Sequence, residues 1–300
     1  MNYALHGFNV SGYHWGNLII HAVNGFLVFY LVLLLLEVLG IHRSTLASNP
    51  FPISPSWFAS IVALIFVAHP IQTQAVSYIV QRFTSLATLF YLLTLILYLF
   101  WRLNHSRIRH PYLWYAAACI SSILAMKTKE ISFTLPMMLF VVEVLFFRPI
   151  AKMRWVTLIP FLLTLLIIPL SRIDALGSAE AGFARETMSI TRWDYLLTQI
   201  RVIMTYLRLL ILPVHQNLDY DYPIVHSLFE PPVFISFIFL CLLGGLTYHL
   251  LFRRDQCPDR PYLRLIAFGI LWFFLTLSVE SSIIPIKDVI NEHRLYLPSI

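Results

Sequence analysis

The feature that most limits what this chain can fold into is a succession of eight apolar runs, at 15–39, 57–76, 84–101, 112–127, 131–147, 155–171, 232–252 and 262–285. A helix needs roughly 20 such residues to cross a hydrocarbon core. Several of the runs are apolar all round, without the polar stripe of a helix lying on a soluble core. They also lack the period-two alternation of barrel strands. Composition agrees: 59% of the residues are hydrophobic and 12% charged, against roughly 25% charged in an ordinary soluble domain. The expected fold is all-α, a polytopic transmembrane helix bundle of about eight crossing helices forming a single domain over 1–300.

Three cysteines, Cys119, Cys241 and Cys257, are too few and too scattered for a disulfide framework or a zinc site. The formal charge of +6 does not point to nucleic acid, because the basic residues sit in short loops between apolar runs. Loops 40–56 (Arg43), 102–111 (Arg102, Arg107, Arg109), 148–154 (Arg148, Lys152, Arg154) and 253–261 (Arg253, Arg254, Arg260) carry most of the clustered charge. The positive-inside rule makes these four loops cytoplasmic and places both chain ends outside.

One segment departs from the pattern. Residues 195–213 hold about ten strongly apolar side chains, each favouring insertion by about 0.5 kcal/mol. Arg201 and Arg208 would cost up to about 3 kcal/mol each near the centre of a span, so insertion is close to break-even. A crossing here would also break the alternation of basic loops. Asp194, Thr198, Arg201, Thr205 and Arg208 recur at three- and four-residue steps, one stripe on one face. The segment is therefore expected to be an amphipathic helix on the outer surface, within a long outer segment over 172–231.

Polar residues gather on that same side. His14, Asn17, His21 and Asn24 share one face of the first helix. Two readings stay open for them, hydrogen bonding between helices or the wall of a polar cavity. Pro70 interrupts the second run within His69-Pro70-Ile71-Gln72-Thr73-Gln74, with Tyr78 and Gln81-Arg82 beyond it. Lys127, Lys129 and Glu130 occupy a tight turn between two helices, where ammonium groups suit a phosphate or merely snorkel. Residues 217–223 alternate Asp219 and Asp221 with tyrosines, a composition fit for a sugar and for a plain surface loop. Glu280 is an ionisable group at membrane depth, and Lys287-Asp288 and Glu292-His293-Arg294 follow the last helix. No metal-ligand spacing stands out, no cofactor is expected, and a divalent metal stays open.

These residues carry a resemblance. His69-Pro70-Ile71-Gln72-Thr73-Gln74-Ala75-Val76 with Tyr78, Ile79, Val80, Gln81 and Arg82 resembles the HP-x-x-TE-x-V-x-YI-x-x-R turn of the transmembrane, tetratricopeptide-repeat O-mannosyltransferase family. The same pattern is echoed, in order, by Tyr3-Ala4-Leu5-His6-Gly7 through Gly12-Tyr13-His14, by Asn17 and His21, and by Lys129-Glu130. It continues in Tyr206-Leu207-Arg208 through Asp219-Tyr220 and in Glu292-His293-Arg294-Leu295-Tyr296-Leu297-Pro298. Gln74 stands where the family often has an acid. The resemblance is to bacterial members and covers nearly all of the chain.

It implies a GT-C-like membrane glycosyltransferase active in protein glycosylation. The sugar, typically mannose, would pass from a polyprenyl-phosphate donor to a protein acceptor on the outer face. It implies Lys127, Lys129, Glu130, Arg201, Arg208, His69, Arg82, His293 and Arg294 as substrate-binding residues, with Asp219, Asp221 and Glu292 as candidates for the catalytic carboxylate. It also implies two parts that these residues lack, a first helix with an acidic outer loop and tetratricopeptide repeats after the last helix. The expectation is thus a module inactive as this stretch of chain. Its partners would be the lipid donor, a protein acceptor and membrane lipid, in the inner membrane if bacterial or the endoplasmic reticulum if eukaryotic. A non-catalytic membrane scaffold or degenerate remnant is the alternative. A transporter ranks behind both, since no internal repeat is visible.

Overall fold

Proline, glycine and short polar caps set the boundaries of the helices. The computed structural model describes residues 7, 9–41, 53–147, 152–170, 190–256, 262–282, 285–286 and 288–300, without the side chains of 152–154 and 252–256. Arg43, Arg148, Arg260, Cys257, Lys287, residues 3–6 of the opening motif and residues 172–189 of the outer segment lie outside the described residues. Helix α1 (Val10–Val38) starts at Asn9, whose side chain accepts the Ser11 N–H. It ends in a Schellman motif, with Gly40 at φ 72° and Ile41 N–H donating to Leu36 O at 3.0 Å.

Helix α2 (Pro55–Ala68) is capped by Ser54 and stops at His69. Pro70 has no N–H to continue the ladder and forces the residue before it out of the helical region. A 3₁₀ turn (Pro70–Gln72) and the short α3 (Thr73–Ser77) follow, bent 49° from α2. Next come α4 (Arg82–Asn104), α5 (Pro111–Thr128), a 3₁₀ turn (Glu130–Thr134) and α6 (Leu135–Phe146). The chain continues through α7 (Lys152–Thr164), α8 (Arg192–Ile211), α9 (Pro231–Gln256) and α10 (Tyr262–Leu277), then a last 3₁₀ turn (Glu292–Leu295).

The described chain is all-helical, and each of the eight apolar runs overlaps at least one helix. Among the described residues, α1, α4 and residues Pro231–Leu251 of α9 are individually long and apolar enough to cross a membrane, or four spans if the bent α2–α3 pair counts as one. That is compatible with a membrane protein. It is fewer full-length spans than the runs foretold, because turns cut into them. The run 131–147, for instance, gives its first residues to a 3₁₀ turn and leaves a 12-residue α6.

Helix α4 lies in the main core, where Leu92, Leu95 and Leu99 are buried with Leu35 of α1, Ala118 of α5 and Leu139 of α6. Helices α1 and α2 approach closely at Gly25, where a Cβ would collide with the Val67 side chain. A second core joins Val202, Tyr206 and Leu209 of α8 to Phe273 and Leu277 of α10 and to Ile71, Ile290 and Leu295.

The polar stripe of α8 is partly covered, with Thr198 buried and Arg208 exposed. The chain beyond α8 runs back along it: Arg208 Nη1 donates to Val214 O (3.1 Å), Thr205 meets the Tyr222 hydroxyl (3.2 Å), and Arg201 sits over the Tyr222 ring. Thr198 then accepts the Val225 N–H (3.0 Å), and Asp194 lies 3.2 Å from His226. A helix with apolar residues on one face and polar ones on the other is held here between α10 and its own return segment.

Candidate functional site

The polar turns converge at one end of the bundle, and a single buried hydrogen-bonded column fixes their places. In the column, Asn24 Nδ2 donates to the Tyr296 hydroxyl (3.0 Å), which lies 2.7 Å from His21 Nδ1, while His21 Nε2 lies 3.1 Å from Val67 O. A carbonyl only accepts, so Nε2 carries the ring proton and Tyr296 donates to Nδ1. Val67 O is available because its normal helical partner, Ile71 N–H, donates to His69 Nδ1 instead. The break at Pro70 thus creates the acceptor that α1 supplies with a donor. Nearby, Asn17 Nδ2 donates to Val76 O and Tyr78 O, and its Oδ1 accepts from Arg82 Nε at 2.6 Å. Arg82 also donates to Tyr13 O.

Asn17, His21 and Asn24 are therefore buried in hydrogen bonds between elements and belong to neither of the two cavities that flank the last 3₁₀ turn. His14 lines an open depression of about 390 Å³ with Trp15 and Ser77. Both ring nitrogens of His69 are engaged, Nε2 lying 3.1 Å from Leu210 O in the last turn of α8.

Two cavities flank the last 3₁₀ turn. The larger, about 440 Å³, is lined by Lys129, Glu130, Glu280, Asp288, His293 and Arg294, with Gln81 and Thr128 at its edge. Lys129 Nζ is 2.8 Å from Glu280 Oε1 and donates to Thr84 Oγ1 at 3.0 Å. An ammonium has three donors, so among the described residues one remains uncommitted. Burial, and then the Lys129 charge, push the His293 imidazole down to about 4, so it is neutral at physiological pH. Its Nδ1 is buried without a hydrogen-bond partner, and its backbone N–H donates to Gln74 Oε1 at 2.6 Å.

Arg294, 4% exposed, spends its guanidinium on the backbone, donating to Asp288 O (2.6 Å), Val289 O (3.1 Å) and Glu280 O (3.4 Å). Three side chains of α8 brace the same stretch. Tyr195 donates to Glu280 O, Gln199 to Val289 O, and the Tyr206 hydroxyl bridges the N–H and C=O of Asn291. Sequence reasoning missed these supports, although their four- and three-residue steps (195, 199, 202, 206) mark one face of α8.

The smaller cavity, about 300 Å³, lies between α3 and the return segment and is lined by Thr73, Gln74, Ser77, Tyr78, Gln216, Asn217, Leu218 and Glu292. Glu292 is 4% exposed and fully engaged. Its Oε1 accepts from Asn217 N–H (2.8 Å) and the Tyr220 hydroxyl (2.5 Å), its Oε2 from Gln216 Nε2 (3.0 Å). Burial and that carboxylate push the Tyr220 phenol up to about 12.

Lys129, Glu130, His293 and Arg294 are thus brought together with Glu280, while Glu292, next in sequence to His293, faces the other cavity. Arg201 and Arg208 line neither, and Lys127, Asp219 and Asp221 are exposed and line neither. Among the described residues no three of His, Cys, Asp and Glu gather as metal ligands would. The chain matches no known family, no curated protein and no solved structure.

Proposed function

We propose that this chain is the membrane portion of a polyprenyl-phosphate-dependent glycosyltransferase, with the larger cavity as the seat of the donor phosphate. The observation that carries the reading is the pairing of an uncommitted Lys129 N–H with the partnerless His293 Nδ1 in one cavity at the end of an apolar bundle. The motif resemblance supplies the sugar, mannose, and the acceptor, a protein. In the reaction the acceptor hydroxyl oxygen bonds to the anomeric carbon while the bond from that carbon to the phosphate oxygen breaks. The phosphate leaves with the electron pair, and the hydroxyl proton passes to a carboxylate. A cation beside the leaving phosphate stabilises its growing charge.

Three carboxylates, Glu130, Glu280 and Asp288, face two cations, Lys129 and Arg294, in this cavity. An incoming phosphate must therefore compete with Glu280 for Lys129. The eight runs form eight crossings in this reading, with the basic loops cytoplasmic and the cavity outside. Large apolar side chains on the outer faces of the helices, such as Phe26, Trp57, Leu64 and Leu242, support lipid as their medium. The protein then sits in the inner membrane of a bacterium or the endoplasmic reticulum of a eukaryote.

A non-catalytic scaffold is the second reading. It is favoured by the engagement of Glu292 and by the absence of Asp219 and Asp221 from the linings of both cavities. Binding of a polyprenyl monophosphate to the chain in nanodiscs tests the phosphate seat. Replacing the pair together, Lys129→Met with Glu280→Gln, avoids stranding a buried carboxylate and should weaken binding about tenfold, since charge-assisted hydrogen bonds are worth about 1.5–3 kcal/mol. Unchanged binding would remove the proposal. Sugar transfer from the charged lipid to a peptide separates enzyme from scaffold.

A further inference from the structure

We infer that the smaller cavity is a binding site for a neutral, polyhydroxylated ligand, a sugar unit, held between α3 and the return segment of α8. Its lining carries no cation and one carboxylate, Glu292, whose oxygens already accept three hydrogen bonds. An anion would meet that carboxylate unopposed, which separates this cavity from the Lys129 cavity on the other side of the 3₁₀ turn.

What remains free is hydrogen-bonding capacity. Among the described residues the Ser77 and Tyr78 hydroxyls meet no hydrogen-bond partner, and Gln216 and Asn217 use only part of their amides, Gln216 its Nε2 and Asn217 its Oδ1. Donors and acceptors on both walls of a space of about 300 Å³ match the alternating hydroxyls of a small ring. The Tyr78 ring, 44% exposed, adds an apolar face with a polar tip.

The walls are held rigidly. Gln74 joins them, donating to Leu218 O at 3.2 Å and accepting the His293 N–H. His215 adopts φ 57° just before the loop turns onto Glu292. A side chain there costs on the order of 1 kcal/mol, offset by the bonds that Gln216 and Asn217 then make to Glu292. Residues 292 and 293 thus put their side chains to two cavities of different chemistry, one lined by carbon surface with hydroxyl and amide groups and no cation, the other ionic.

The inference rests on the transferase reading only for what the bound sugar is for. Its binding is independent of the phosphate seat, and the experiment keeps the two apart. Saturation-transfer difference NMR on the chain in phosphatidylcholine nanodiscs, with methyl α-D-mannopyranoside and methyl α-D-glucopyranoside as probes, should show millimolar binding of at least one. Tyr78→Ala should weaken it about tenfold, and Ser77→Leu should fill the site and abolish it. Tyr78 engages its neighbours through its backbone, so neither its removal nor a change at exposed Ser77 unmakes the fold, which an unchanged melting temperature would verify. The variant Lys129→Met with Glu280→Gln should bind the methyl glycosides as the parent does. Absence of saturation transfer from both glycosides at tens of millimolar, or transfer untouched by Tyr78→Ala and Ser77→Leu, overturns the assignment whatever the lipid phosphate does.

Discussion

Tyr296→Phe tests the column that fixes the site against the bundle. The substitution keeps the ring, which packs against His21 and Phe66 at centroid distances of 5.6 and 5.4 Å, and deletes only the hydroxyl. Asn24 Nδ2 loses one of two acceptors but retains Ser85 O at 2.9 Å, so little of the cost falls there. His21 Nδ1 loses the donor at 2.7 Å and has no other partner in a site that is 5% exposed. Stranding a buried acceptor costs about 1–3 kcal/mol, whereas hydrogen bonds between membrane helices average about 0.6 kcal/mol and reach about 1.7. The expected loss is about 1–2 kcal/mol. Equilibrium unfolding in mixed micelles by titrated SDS reads it directly. A cycle with His21→Leu should show coupling of about 1 kcal/mol, because the single variants remove the same bond. A Tyr296→Phe protein within about 0.3 kcal/mol of the parent would refute the column as a source of stability.

Three further outcomes follow from the structure. Gly25→Ala drives a methyl into the β-branched, stiff Val67 side chain and should cost about 1–3 kcal/mol in the same unfolding assay; adding Val67→Ala should restore most of it. His293 holds a folded pKa of about 4, below the ordinary 6.5, so its contribution to stability is complete above 6.5 and is lost as pH falls toward 4. The melting temperature should drop over that window by less in His293→Gln than in the parent, the difference at pH 4 being at most about 3 kcal/mol. For the proposed crossings, a cysteine at position 105 should label only from the cytoplasmic side and one at 221 only from outside; the reverse pattern would invert the bundle.

The helical class was legible because apolar length and the absence of a period-two pattern are local properties of the sequence. Full spans were less so. Pro70 announced a break, and Pro136 marks the start of α6 in the same way, yet the 3₁₀ turn over Glu130–Thr134 takes the start of an apolar run without changing its hydropathy. The stripe Asp194, Thr198, Arg201, Thr205 and Arg208 was read correctly as one face of a helix. Its cover was invisible, because the return from Val214 to His226 is a long-range pairing that amphipathicity cannot encode: an uncovered stripe and one facing Tyr222 and Val225 look alike in sequence.

The site shows the same division at higher stakes. Lys129, Glu280 and His293 each attracted notice alone, as charge in a tight turn or at membrane depth, but no spacing along the chain joins residues 129, 280 and 293. What joins them is the bracing of 280–291 by Tyr195, Gln199 and Tyr206 from α8 and by Arg294 from within. Glu292 illustrates the converse. A carboxylate beside His and Arg reads as reactive, yet three donors from 216–220 fill it and turn it into an anchor. The physical difference between an anchor and a reactive group lies in whether its hydrogen-bonding capacity is spent, and that depends on chain brought from 72 residues away or more. By that criterion, among the described residues, Lys129, Ser77 and Tyr78 keep hydrogen-bonding capacity to offer a ligand in the proposed sites, and the carboxylate of Glu292 holds the shape of this end of the bundle.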